Sequence, residues 1–356
     1  MKNTDTRYAF EIPGRYARGW HVLAFSQELA PGDVRRFTYF EQDIVLFRGH
    51  GGGAVAVDAY CPHLGANLGG LGTEVVEDTI RCPFHGWRFN ADGDCVAIPY
   101  SDSIPERARG ALRSWPLVEK NGFIAIWHDP EGGAPEYELP DIPEWGPAGW
   151  GDWVFRRSTI NSHGREIIEN IVDEGHFYSV HGGRPEVFEN SFDGHTVTQY
   201  SRVRQALDDP DIRMIIPPDL GIDLEAARAN YRASETAAEP GDNWATYHGP
   251  AIMYFYTENP QAPFPYKSWW LNYYTPIDSE TLDLASSVIV APFGDNELPA
   301  EFLELYPETA HAAFWQDVMI WETKIYQSDP ILCAGDGAIN KLRKWYEQFY
   351  LPREPG

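Results

Sequence analysis

Two short loops concentrate metal-binding side chains in the first third of this 356-residue chain. Cys61-Pro62-His63 is followed, 18 residues later, by Cys82-Pro83-Phe84-His85. Two cysteines and two histidines suit a tetrahedral zinc ion. They equally suit a [2Fe–2S] centre in which two thiolates hold one iron and two imidazoles the other. The order of residue types separates these readings. Zinc sites usually group like ligands, a Cys pair followed by a His pair. Here each loop supplies one Cys and one His and so clamps both irons, which favours the two-iron centre. Gly65 and Gly86 sit where backbone must pass close to a bound centre. With neutral imidazoles the oxidised centre carries no net charge, and reduction adds one negative charge. Arg81 and Arg88, beside the ligands, either favour the reduced form or are solvated surface. Cys95 and Cys333 read as buried apolar thiols.

A second cluster lies in the run from Glu169 to His181. Asn170, Asp173 and His176 follow one another at intervals of three, a helical neighbour spacing. His176 and His181 are five apart, roughly 140° around a regular helix. They can share one ion only if the helix widens into a π-turn or ends near Gly182-Gly183. Two imidazoles then need a carboxylate to complete the 2-His-1-carboxylate triad, which holds Fe(II) with positions left open for O₂. Asp317 interrupts a mostly apolar stretch from Ala312 to Trp321. An acid buried there needs a cation or a hydrogen-bond partner; the alternative is an acid on the solvent face of an amphipathic helix. His21, His128, His163, His195, His248 and His311 read as structural.

The elements around these residues fall into two groups. Val55–Val57, Thr79–Cys82 and Gly122–Trp127 are short β-type runs, punctuated by Gly51-Gly52-Gly53, Gly69-Gly70 and Asp92-Gly93. No amphipathic helix is evident between residues 17 and 130. Residues 131–150, dense in Pro, Gly and Glu, suit an interdomain linker. Beyond them, Arg165–His181 and Glu301–Tyr326 read as helices, and 192–203, 250–256 and 267–292 as strands. The aromatics Tyr254, Phe255, Trp269, Trp270 and Tyr273 either line a flat apolar pocket or pack in a strand core. A chain of this length exceeds one comfortable core, and 43% hydrophobic and 14% aromatic residues exclude disorder as the dominant state. A net charge of −25 argues against nucleic acid and anionic membranes, while a basic docking face on a partner would suit it. No apolar run approaches the roughly 20 residues of a membrane helix. The run Met1–Tyr8 holds no apolar stretch of the kind a signal sequence needs, so none is expected, and four cysteines are too few for a disulfide scaffold. A reducing cytoplasm is the expected compartment.

C-P-H-L-G with C-P-F-H-G-W resembles the Rieske signature, and N-x-x-D-x-x-H-x₄-H resembles the catalytic motif of Rieske non-haem iron oxygenases. Within these, the chain resembles the oxygenase components of 3-ketosteroid 9α-hydroxylases. The similarity rests on Arg18-Gly19-Trp20-His21, Trp127-His128-Asp129-Pro130, the stretch Arg165–Asp173, Gln316-Asp317-Val318, Pro330–Cys333, Asp336-Gly337 and Arg343–Tyr350. It implies an α+β protein: an all-β Rieske domain at 17–130, and a catalytic domain at 131–356 (with 1–16) whose antiparallel sheet is flanked by helices in a helix-grip arrangement. It implies a Rieske cluster on Cys61, His63, Cys82 and His85, and a mononuclear Fe(II) on His176, His181 and Asp317. Asp173 would hydrogen-bond His176 and, across a subunit boundary in a head-to-tail homotrimer, a neighbour's His85. The implied activity is that of a terminal monooxygenase using O₂. Electrons would come from NAD(P)H through a flavin or iron–sulfur reductase, directly or by way of a ferredoxin. A steroid is the leading substrate; another sterol, a bile acid or an aromatic acid is the alternative. A Rieske electron-transfer protein without catalysis is the rival outside the enzyme class.

Overall fold

The computed structural model describes residues 15–146, 150–206, 209, 211, 214–215 and 240–352. Residues 1–14, expected to join the C-terminal domain, lie outside these, as does most of the polar stretch between 205 and 240. The described residues form two compact units: 15–145 with 275–279, and those of 146–274 with 280–352. The stretch read as a linker is mostly part of the first unit. Asn121 pins it at both faces of its amide, donating to the Pro140 carbonyl and accepting from the Ile142 N–H, both at 2.9 Å.

The first unit is built of strands and two 3₁₀ turns, Ser26–Glu28 and Glu106–Ala108. Its strands are β1 (Gly19–Phe25), β2 (Val34–Tyr39), β3 (Gln42–Arg48), β4 (Ala54–Asp58), β5 (Glu74–Val76), β6 (Thr79–Arg81), β7 (Arg88–Phe89), β8 (Cys95–Ala97), β9 (Leu117–Lys120) and β10 (Phe123–His128). They make three antiparallel sheets, ordered β1-β10-β9, β2-β3-β4 and β5-β6-β7-β8. β1 and β10 are buried along their whole length, which is why the run read at Gly122–Trp127 is continuously apolar rather than alternating. The sheet β5-β6-β7-β8 carries the second ligand loop between β6 and β7. Its core includes Val57, Leu68, Ile80, Phe89 and Leu112, together with Cys61 and Cys82.

The second unit centres on a seven-stranded sheet: β11 (Val154–Ile160), β12 (Gly183–Asp193), β13 (Thr196–Gln205), β14 (Asp242–His248), β15 (Ile252–Asn259), β16 (Tyr266–Pro276) and β17 (Leu282–Pro292). The order across it is β11-β17-β16-β15-β14-β13-β12. Four helices accompany it among the described residues: α1 (Gly164–Glu169), α2 (His176–Ser179), α3 (Ala300–Trp321) and α4 (Ile339–Tyr346). An α+β architecture with the helices confined to the second unit is what the sequence implies. Two expectations change. The helix expected over Arg165–His181 is broken: a 3₁₀ turn at Asn170–Val172 runs into Asp173, whose extended backbone (φ −85°, ψ 103°) ends it before α2 begins. Cys333, expected to be buried, is exposed in the loop before α4. Among the described residues no helix is long and apolar enough to cross a membrane.

Candidate metal centres and active site

The two ligand loops of the first unit share one hydrogen-bonding plan. In the first, the Cys61 carbonyl accepts from Gly65 N–H at 2.9 Å and Cys61 N–H donates to the Ala66 carbonyl at 2.8 Å. In the second, Cys82 does the same with Gly86 at 3.1 Å and Trp87 at 2.8 Å. Both glycines have positive φ, +76° and +70°, a conformation that lets each loop turn back tightly. The plan sorts the donors by type. Cys61 and Cys82 are buried and share a thiol hydrogen bond. The His63 and His85 rings lie 4.7 Å apart, and His63 stacks on Trp87 at 4.5 Å with 8° between planes. Burial, above all, pushes the Cys61 thiol up to about 12, and the neighbouring Cys82 reinforces this against backbone hydrogen bonds that lower it. Metal binding must therefore displace a proton there. The buried Nδ1 of His63 has no hydrogen-bond partner, so a metal could take it without breaking one. A single tetrahedral ion would draw all four donors together. Among the described residues, however, the one group of three or more such donors within 4.8 Å is elsewhere. Thiols on one side and imidazoles on the other suit two irons better than one zinc.

Arg81 and Arg88 each have an acidic partner, Glu74 at 2.9 Å and Glu77 at 3.5 Å, so neither is a bare positive charge beside the loops. Leu64 and Phe84, one from each loop, are exposed by 66% and 62%.

The group with donors inside 4.8 Å is His176, His181 and Asp317. The broken helix makes it possible. α2 stops at Ser179 and His181 leaves the helical path, bridging to Met214. Of the two routes that bring His176 and His181 together, the helix end is the one taken, and their ring centroids are 5.0 Å apart. Each imidazole is anchored by its Nδ1. His176 donates to the Asp173 carbonyl at 2.5 Å, and His181 to Gln316 Oε1 at 2.7 Å. Both Nε2 atoms are thereby left to face a metal. Asp317 lies on the buried stripe of α3 with Ala310, Phe314, Val318 and Trp321, not on its solvent face. Its Oδ2 is 3.3 Å from His181 Nε2. Burial opposes its ionisation most, but the attraction and hydrogen bond of His181, with His176 and an Asn170 hydrogen bond, outweigh it and hold the carboxyl below its usual range. For His176 burial wins and lowers its affinity for a proton; for His181 burial is overcome by Asp317 and Gln316, and its affinity rises. A carboxylate and two imidazoles so placed offer the three donors that a 2-His-1-carboxylate site for Fe(II) would need.

Asp173 is placed differently from the implied role in one respect. Because its backbone is extended, its carbonyl rather than its carboxylate meets the His176 ring, and its Oδ1 accepts the His176 backbone N–H at 3.2 Å.

Two cavities meet at this triad. One, of about 800 Å³ counted to its open mouth, is lined by Phe177, Met253, Phe255, Trp270 and Phe314, with the amides of Asn170, Gln199 and Asn272 and the ring of Tyr247. Its floor follows from strand register. Gln199, Ala245, Phe255 and Trp270 are successive partners across β13–β16, and Val197, Tyr247, Met253 and Asn272 form a parallel row two residues away. Alternation sorts the aromatics the sequence left open. Phe255 and Trp270 line the cavity, whereas Tyr254 packs on His248, Trp269 on Tyr256, and Tyr273 meets Arg157. The other cavity, about 980 Å³, is bordered by Glu166, Glu169, Asp173, Lys324, Ile331 and Arg343. Asn170, His176, Asp317 and Trp321 line both, so His176 and Asp317 form part of the wall between an apolar chamber and a charged one.

Gln316, Gln199, Asn272 and Tyr247 were not identified as site residues from the sequence. The signal available was the one that marked Asp317: a polar group where helix or strand periodicity calls for an apolar one.

Comparisons with known proteins identify relatives along nearly the whole chain. The family described as Rieske [2Fe-2S] domain matches residues 19–116, and that described as 3-Ketosteroid 9alpha-hydroxylase C-terminal domain matches 126–350. A probable 3-ketosteroid-9-alpha-monooxygenase oxygenase component of Rhodococcus rhodochrous is 36% identical over 349 residues, covering 96% of this chain and 82% of the relative. A 3-ketosteroid-9-alpha-monooxygenase oxygenase component of Mycolicibacterium smegmatis is 35% identical over 345 residues, covering 96% and 84%. A cholesterol 7-desaturase of Hemicentrotus pulcherrimus is 32% identical over 373 residues, covering 98% and 73%. Among solved structures, dicamba monooxygenase bound to dicamba has a TM-score of 0.68 at 17% identity, covering 94% of this chain and 98% of that one; that likeness is one of fold.

Proposed function

Because the chain belongs to the Rieske oxygenase family of 3-ketosteroid 9α-hydroxylase oxygenase components, we propose that it hydroxylates a steroid-like molecule bound beside His176, His181 and Asp317. The protein is a Rieske non-haem iron monooxygenase, the terminal oxygenase component of a multicomponent system. Its cofactors are a [2Fe–2S] cluster and a mononuclear iron, its co-substrate is O₂, and its electrons come from a reductase component. In our reading Cys61 and Cys82 hold one iron of the cluster and His63 and His85 the other, while His176, His181 and Asp317 hold the mononuclear iron. When bound, these centres supply single electrons and the activation of O₂ for insertion of one oxygen atom into a C–H bond.

The chain's own residues do the positioning. The Asp173 carbonyl and Gln316 hold the two imidazoles by Nδ1, and Asn170 steadies the Asp317 carboxylate. Phe255 and Trp270 offer flat apolar surface to a fused-ring body, and Gln199, Asn272 and Tyr247 offer the few polar contacts that fix its orientation. The observation that carries this reading is that a largely apolar cavity opens directly onto the three donors.

On the other side of the triad, we assign the charged cavity at Asp173 to the cluster loops of a neighbouring copy in a head-to-tail homotrimer. Exposed Leu64 and Phe84 on the loops and exposed Ile325 and Ile331 at the cavity rim give the two faces apolar contact. A basic face on an NAD(P)H-dependent reductase would suit the charge of −25, and a reducing cytoplasm would keep Cys61 and Cys82 available as cluster ligands.

The test is turnover with a surrogate NAD(P)H reductase and a panel of 3-ketosteroids, sterols and aromatic acids. A 3-ketosteroid should be consumed with gain of one hydroxyl group. The cholesterol 7-desaturase relative supports a second reading, in which a sterol loses two hydrogens instead. Consumption of an aromatic acid alone would refute both.

A further inference from the structure

One polar side chain beside the triad has both ends committed. Gln316 immediately precedes Asp317 on α3 and is 7% exposed. Its Oε1 accepts from His181 Nδ1 at 2.7 Å and its Nε2 donates to the Ile215 carbonyl at 2.5 Å. That carbonyl can only accept, so it fixes which end of the amide faces His181, and His181 must place its proton on Nδ1. Ile215 is itself seated: its N–H donates to the Val180 carbonyl at 2.9 Å, and Met214 bridges to His181. The chain of contacts therefore closes on itself, from Val180 and His181 through residues 214–215 to Gln316 and back to His181.

We propose that Gln316 is a positioning residue for the mononuclear iron, its amide locking the tautomer and ring orientation of His181 through the backbone of residues 214–215. His176 needs no such side chain, because the Asp173 carbonyl serves it from three residues away. His181 has left its helix and lies beyond that reach, so its support must come from another element, and α3 supplies it next to the third ligand. The proposal rests on the reading of His176, His181 and Asp317 as iron ligands. Removing an outer hydrogen-bond partner of a metal-bound histidine typically costs about 10–100-fold in metal affinity.

The test uses the full chain with its cluster loaded and the mononuclear site stripped, titrated anaerobically with Fe(II), and with Co(II) for its d–d spectrum. Gln316→Met keeps the length and removes the amide; Gln316→Glu keeps an acceptor for His181. The Met variant should bind Fe(II) about 10–100-fold more weakly, with an altered Co(II) spectrum and an unchanged Rieske spectrum. The Glu variant should regain most of the affinity. Unchanged affinity in the Met variant would overturn the proposal, and so would equal weakening in both variants. Should the Met variant lose its Rieske spectrum, Gln316→Ala is read by the same criteria. Asp317→Ala, titrated alongside, separates the two readings. If it binds Fe(II) like the parent, the triad itself is wrong. If it fails to bind while Gln316→Met binds normally, only the role of Gln316 falls.

Discussion

Gly337 offers a way to disturb Asp173 without touching it. Its φ is +73°, and a Cβ there would sit 1.8 Å from the carbonyl oxygen of Val172, the residue before Asp173. An alanine meets two penalties. The left-handed backbone costs about 1–2 kcal/mol for a residue with a Cβ. The contact must also open from 1.8 Å to at least 3.0 Å, so one of the two backbones has to move by about 1.2 Å. Movement on the 172–174 side displaces Asp173 and, through its carbonyl, the His176 ring. A misplacement of about 1 Å at a reacting centre can cost on the order of 100-fold in rate. Gly337→Ala should therefore lose about 2–3 kcal/mol of stability and about 10–100-fold in turnover, with both metal centres still loaded. The assay is single turnover: the cluster is reduced anaerobically, mixed with substrate and O₂, and its reoxidation followed by absorbance. Two controls divide the terms. Gly294 has φ +65° with nothing within 4 Å of its Cβ position, so its alanine variant carries backbone strain alone; Gly335 has neither strain nor contact. Reoxidation of Gly337→Ala at the parent rate, or an equal slowing in Gly294→Ala, would refute the reasoning.

Further outcomes follow. Asp173→Ala keeps the backbone carbonyl that holds His176 and removes the carboxylate that the family resemblance places between the two centres, so it should keep iron at both centres yet block reoxidation of the cluster by substrate and O₂; a parent-like rate would remove Asp173 from the electron path. Tyr346 donates to Tyr274 Oη at 2.7 Å, and Tyr274 in turn donates to the Pro250 carbonyl, all buried. Tyr346→Phe should thus cost about 1 kcal/mol in denaturant unfolding, and Tyr274→Phe, which leaves the buried Pro250 carbonyl without this donor and removes one of the two hydroxyl partners of Tyr346 (the other is Tyr350), about 2–4 kcal/mol; the reverse order would contradict this hydrogen-bond direction. Burial, helped by the nearby His21, lowers the His128 pKa from 6.5 to about 3. The unfolded chain therefore binds a proton there before the folded one does. The associated stability is complete above about pH 6.5 and is lost as pH falls toward 3, with a slope of about 1.4 kcal/mol per pH unit inside that window. Urea unfolding between pH 7 and 4 should show this slope, flattened in His128→Gln; identical slopes in the two proteins would argue against it.

The sequence made the cluster loops easy to read because Cys, His and Gly lie at fixed short spacings and the fold merely closes each loop. The mononuclear site was legible in its donors but not in its backbone. Asn170, Asp173 and His176 keep helical spacing, yet Asp173 is extended and the helix breaks there, since the local geometry answers to the anchoring of His176 and His181 rather than to propensity. Asp317 could be picked out because burial of an acid conflicts with its apolar surroundings. Gln316 sits in the same stretch and carries the same signal more faintly, since burying an amide conflicts less with apolar surroundings than burying an acid, and its role appears only when residues 214–215 are brought beside it. Phe255 and Trp270 could not be told from Tyr254 and Trp269 until strand register fixed which face met the cavity. The polar stretch before β14 carried no periodic pattern, and there the sequence offered no assignment to compare.

The central claim is that this chain holds two separate iron centres on the residues named. Its most direct test counts iron per chain by elemental analysis and records the Rieske spectrum on the same samples, for the parent protein and for Asp317→Ala. The account predicts three irons in the parent, and two in the variant with the Rieske spectrum intact. Three irons retained by Asp317→Ala, or a Rieske spectrum lost along with the third iron, would contradict it.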